Sequence, residues 1–105
     1  MIQTMDDIQW WELQQAMFSL SNLSPQWRTK CRLNGSISNW DHEWFYHFSD
    51  RDYKDIEWVE LKIESDEQKE LVLSDLRKIH LPGELTENGV KVFGYVPKDS
   101  FVEYL

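Results

Sequence analysis

His42-Glu43-Trp44-Phe45-Tyr46-His47 is the stretch of this sequence that comes nearest to a chemical motif. A zinc protease needs two histidines four apart on one helix face, with the intervening glutamate as base. Here the histidines are five apart in a run that reads as a strand, so they project to opposite faces. His80 falls at the end of a distant helix. No metal site and no cofactor are therefore expected, and the histidines read as residues satisfied by hydrogen bonds. Asp41 and Glu43 share a strand face at i and i+2, close enough to interact as acid–base catalysis would need. The hairpin register sets Arg28 and Lys30 beside them, and cross-strand ion pairs account for both sets of charges. Arg28, Lys30 and Arg32 then form no nucleic-acid stripe. Cys31 falls on the apolar side of its strand, where a buried thiol is inert. The glycines at 35, 83, 89 and 94 are too scattered for a phosphate loop. No catalytic residue emerges, and the chain does not read as an enzyme.

The aromatic residues carry more information. Six Trp, five Phe and four Tyr are more than a core of this size hides easily. Trp10, Trp27, Trp40 and Trp44 have core positions by periodicity, whereas Trp11, Phe45, Tyr53 and Trp58 fall on polar faces or in loops. Exposed aromatics mixed with acids suit a protein interface, since aromatics supply buried anchors and acids steer a basic partner. The candidate partner-binding set is Asp50, Asp52, Asp55, Glu57 and Glu60 as the steering charges, with Tyr53 and Trp58 as anchors. Two other readings stand beside it. One is a small ligand-binding domain or enzyme with a pocket of Trp40, His42, Trp44 and Tyr46. The other is a structural homo-oligomer, such as a homodimer, that covers the same aromatics.

The elements follow from spacing. Trp10, Leu13, Met17 and Leu20 recur at three and four, a helix opened by Thr4 as N-cap and stopped by Ser21 to Pro25. Trp27, Thr29, Cys31 and Leu33 alternate with polar residues as a half-buried strand. Asn34-Gly35 signals a two-residue hairpin into a long aromatic strand over 40–48. That register puts Trp40, His42, Trp44 and Tyr46 on the core face. Ile56 to Glu64 alternates again, with Val59, Leu61 and Ile63 on one side and Trp58, Glu60 and Lys62 on the other. Ser65-Asp66-Glu67-Gln68 fits a capping box for a second helix bearing Val72, Leu73, Leu76 and Ile79, ended by Leu81-Pro82-Gly83. A turn at Asn88-Gly89 precedes a fourth strand, Val90 to Val96, whose place in the sheet is open. The order α-β-β-β-α-β describes a two-layer α+β fold, an antiparallel β-meander with two helices on one face.

With 105 residues the chain has room for one α+β domain, residues 1–105. Nineteen acids against eleven Lys and Arg give a formal charge of −8, unsuited to nucleic acid or anionic membrane. Residues 41–70 hold eleven of those acids and four bases, so the field is local. One cysteine and an acidic start without an apolar stretch point to a cytoplasmic protein.

Four segments carry a resemblance. They are Ser24-Pro25-Gln26-Trp27-Arg28-Thr29-Lys30, Trp40-Asp41-His42-Glu43-Trp44-Phe45-Tyr46-His47-Phe48, Ile56-Glu57-Trp58-Val59-Glu60 and Lys78-Ile79-His80-Leu81-Pro82-Gly83-Glu84. Together they resemble a family of small, uncharacterised bacterial cytoplasmic domains, which implies a bacterial origin and carries no activity. In size and acidity the chain is also similar to bacterial immunity proteins. That likeness implies an inhibitor of a basic, toxin-like partner.

Overall fold

Alternation at period two builds the sheet, and spacings of three and four build the helices that cover it. The structure, a computed structural model, describes residues 1–49 and 52–105. In chain order the elements are β1 (Ile2–Gln3), α1 (Asp7–Phe18), β2 (Gln26–Cys31), α2 (Tyr46–Ser49), β3 (Ile56–Lys62), α3 (Asp66–Ile79), β4 (Gly83–Leu85), β5 (Gly89–Phe93) and β6 (Tyr95–Val96). Short 3-10 turns fill Ser21–Leu23 and Tyr53–Asp55.

Among the described residues four antiparallel strands lie in the order β2-β3-β5-β4. Trp27, Leu61 and Val90 stand in one row across them, and Thr29, Val59 and Val92 in the next. All six are buried. Trp10, Leu13 and Met17 of α1 and Val72, Leu73 and Leu76 of α3 pack with this face into a single core. The fold is thus the two-layer α+β arrangement that the spacing implies, and the strand expected after Asn88-Gly89, β5, takes its place beside β3, with β4 outside it. Two short strands, β1 and β6, form a separate antiparallel pair that the sequence pattern does not announce. No helix among the described residues is long and apolar enough to cross a membrane.

The outer face of the sheet is polar and internally paired. Arg28, Glu60, Lys91 and Glu84 stand opposite one another across the strands, so charge alternates along the row. Arg28 reaches Glu60 at 2.8 Å, and the Thr86 hydroxyl donates to the same carboxylate at 2.7 Å. The Arg28 guanidinium lies 4.5 Å from the Trp40 ring centroid, and the Lys91 ammonium lies 4.2 Å from that of Trp58.

The aromatic strand expected over 40–48 is not formed. A two-residue turn of the expected kind needs positive φ at both Asn34 and Gly35. Only Gly35 adopts it, at +72°, and its N–H donates to Cys31 C=O at 2.9 Å in a wider turn. The returning chain makes isolated bridges to β2 at Lys30–Ile37 and Trp27–Asp41 in place of a continuous strand. Asp41 therefore stands opposite Trp27 instead of Arg28, a slip of one residue that reverses the faces. The expected ion pairs change accordingly. Arg28 bonds Glu60, Lys30 lies 3.5 Å from Glu57, and Asp41 meets His47 Nδ1 at 2.8 Å.

Glu43 explains why the chain then coils. Its carboxylate accepts the N–H groups of Phe45, Tyr46 and His47 at 3.1, 2.7 and 2.7 Å, which folds the segment into α2. Trp44 and Phe48, four apart, thereby turn inward together and are buried. Helix ends shift as well. Asp6, not Thr4, caps α1 in a reciprocal pair with Gln9, at 2.8 and 3.0 Å. At the end of α3 the left-handed position (φ 62°) belongs to His80, and Gly83 lies in β4.

Candidate protein-binding surface

An α-helix on a protein surface normally shows one apolar stripe. Helix α1 shows two. Trp10, Leu13 and Met17 face the core, while Ile8, Trp11 and Phe18 recur at three and seven on the opposite side. Their exposures are 67%, 56% and 51%. The adjacent tryptophans, Trp10 and Trp11, thus point to opposite environments.

The stripe continues onto the segment that leads into α2. Phe45 lies with its ring centroid 5.7 Å from that of Phe18, and Tyr46 is 4.9 Å from Phe45. A buried amide fixes this junction: Gln14 Nε2 donates to the carbonyls of Trp44 and Phe45 at 2.8 and 3.0 Å. Trp44 is anchored from the other side, its indole N–H donating to Pro25 C=O at 2.8 Å. A row of aromatic side chains is thereby held on α1 and on the turn before α2, joined by the Gln14 side chain.

Charge frames the row. Residues 1–27 contain Asp6, Asp7 and Glu12 and no Lys, Arg or His. None of these three carboxylates has an ion pair with a described residue. Apolar surface rimmed by unneutralised acid is suited to a partner with Lys or Arg around an apolar patch.

The residues singled out from sequence are not brought together. Asp50 lies outside the described residues. Asp52 is exposed, its carboxylate 3.4 Å from Lys54 Nζ, at the start of the Tyr53–Asp55 turn. Tyr53 is no free anchor: its ring packs 6.0 Å from both Trp10 and Phe48. Burial, with Asp7 nearby, pushes its phenol pKa up. Asp55 is half-buried at the end of the same turn. Glu57 is taken by Lys30, and Trp58 and Glu60 are buried beneath Lys91 and Arg28 on the outer sheet face. The expected set therefore divides between the Tyr53–Asp55 turn, whose Tyr53 packs on the core, and β3, where long cationic side chains fold over Trp58 and Glu60.

The expected pocket of Trp40, His42, Trp44 and Tyr46 disperses in the same way. Trp40 sits under Arg28 on the outer sheet face, Trp44 is in the core, and His42 and Tyr46 are exposed. Coiling at α2 rotates alternate residues away from a common side. Among the described residues no group of three or more His, Cys, Asp or Glu is placed to hold a metal ion. Trp11 and Phe45 are exposed as their spacing implies, whereas Ile8 and Phe18 were not singled out. Their signal was available: with Trp11 they repeat at helical spacing, out of phase with Trp10, Leu13 and Met17.

Three carboxylates among the described residues have pKa values below their ordinary range. Burial pushes Asp41 up, but the Glu43 N–H and the neighbouring His47 and His42 outweigh it. Glu43 is lowered chiefly by the His47 N–H. Glu60 resists burial through Thr86, Arg28 and Lys91. A depressed folded-state value stabilises the fold above the unfolded pKa, about 4, and that stability is lost as pH falls through the folded value. Thermal melts should thus be flat from neutrality to about pH 5 and fall steeply below about pH 4. Glu60→Gln should flatten that acid limb; an unchanged slope would contradict the assignment of Glu60 to it.

These features define a two-layer α+β domain whose first helix keeps an aromatic outer face. The chain belongs to the Family of unknown function (DUF6678), which it matches over residues 1–99. No curated protein and no solved structure matches it.

Proposed function

We propose that the chain is a small acidic protein-binding module, an inhibitor of the immunity-protein type that neutralises a basic, toxin-like protein in the cytoplasm. The observation that carries this reading is the second apolar stripe of α1, Ile8, Trp11 and Phe18, extended by Phe45. A large aromatic at the centre of a water-excluding patch is the composition of a binding hot spot. Steering then belongs to Asp6, Asp7 and Glu12, in place of Asp52, Glu57 and Glu60, which are paired internally. The net charge of −8 supplies the long-range field.

Co-expression with the product of the neighbouring gene tests the reading. Growth should be rescued from that product's toxicity, and association of the purified proteins should slow by about tenfold or more between low salt and about 0.5 M salt. Rescue without salt dependence removes the steering; absence of rescue removes the inhibitor role.

A further inference from the structure

Strand β4 is the last strand of the sheet, so one side of its backbone faces away from β5. The start of that edge is occupied by the chain's own residues 103–105. Gly83 N–H donates to Glu103 C=O at 3.0 Å, and Tyr104 bridges Pro82 in antiparallel sense. The Tyr104 ring stacks on the His80 imidazole, with centroids 4.4 Å apart and planes within 2°. Leu105 packs against the core over Gly83. A Cβ on Gly83 would stand 2.4 Å from Lys91 O and 3.0 Å from Leu105 Cδ1, so the missing side chain makes the seat for the leucine. The seat opens into a groove of about 380 Å³, lined in part by Glu84, Phe93, Tyr95 and Pro97.

We propose that this edge is a strand-addition site, filled in cis by the chain's own tail and in trans by the tail of a second copy, giving a tail-exchanged dimer. The occupant is known to fit because the two tails are identical, and exchange recreates the same contacts at low cost. The tether permits it. Pro97 to Ser100 forms an exposed turn closed by Ser100 N–H to Pro97 C=O at 2.9 Å. Beyond it Phe101 is 90% exposed, an apolar side chain that the cis arrangement leaves in water. A short tether holds the cis tail at an effective concentration of about millimolar, so the wild type is mainly monomeric at micromolar concentration.

Tether length is the control. Deleting Lys98 and Asp99 removes the two central residues of the turn and shortens the tether, which disfavours the cis seat relative to the exchanged one. Light scattering on the full chain carrying this deletion should give twice the monomer mass, with the Gly83 amide still protected from hydrogen exchange. Adding Leu105→Asp should return it to a monomer. A deletion variant that stays monomeric, or a dimer indifferent to Leu105→Asp, overturns the proposal. Should the deletion prevent folding, a synthetic peptide of residues 97–105 is titrated onto the full chain carrying Leu105→Asp, its fold checked by circular dichroism. Saturable binding with renewed protection of Gly83 is expected, at least tenfold tighter than to the wild type; no binding to that folded chain overturns the site.

Discussion

Replacing Trp44 by alanine should cost about 3–5 kcal/mol of stability, the range for truncating a large buried aromatic. A domain of this size has roughly 5–15 kcal/mol in total, so the melting temperature should fall on the order of 15–20 °C. The expectation rests on three contacts. The Trp44 ring lies 5.9 Å from that of Trp27 and 4.8 Å from that of Phe48, and its N–H satisfies Pro25 C=O. Trp44→Ala empties the centre of this cluster and lets the segment that carries Phe45 drift from α1. Trp44→Phe should recover part of the loss, because a ring remains while the bond to Pro25 does not. A shift of less than about 3 °C for the alanine variant would show that Trp44 is not part of the core.

Trp11→Ser should do the opposite: almost nothing to the fold and a great deal to binding. Surface substitutions away from special features stay within about 0.5 kcal/mol, so its melting temperature should move by no more than about 3 °C. An aromatic at the centre of an interface is worth about 2–4 kcal/mol, so affinity for the partner should fall roughly 30- to 1,000-fold. Trp10→Ser, one residue away and buried under the Tyr53 ring, should unfold the chain instead. Equal effects of the two serine variants on stability would contradict the division of α1 into an inner and an outer face.

Several elements were legible from spacing alone. Val72, Leu73 and Leu76 are buried on α3 where their periodicity places them, and Val59 and Leu61 face inward from β3. The segment around Trp44 was not legible as a strand or a helix, because nearly every residue in it is large and either period finds a match. What decides its shape is one carboxylate, Glu43, capping three N–H groups, together with the i, i+4 spacing of Trp44 and Phe48. Trp58 shows a different difficulty. Its side of β3 was read correctly, but polar side does not mean exposed side when Lys91 lies across the ring. The tail could not be placed at all from sequence, since its seat depends on a missing side chain at Gly83 some twenty residues earlier.

The most direct measurement is light scattering on the chain co-expressed with the neighbouring gene's product, as wild type and as the Ile8→Ser, Trp11→Ser, Phe18→Ser triple variant. A one-to-one complex for the wild type and separate components for the variant, at equal melting temperature, is the expected result. A complex of the same mass for both, or no complex for either, would contradict a binding role for the outer face of α1.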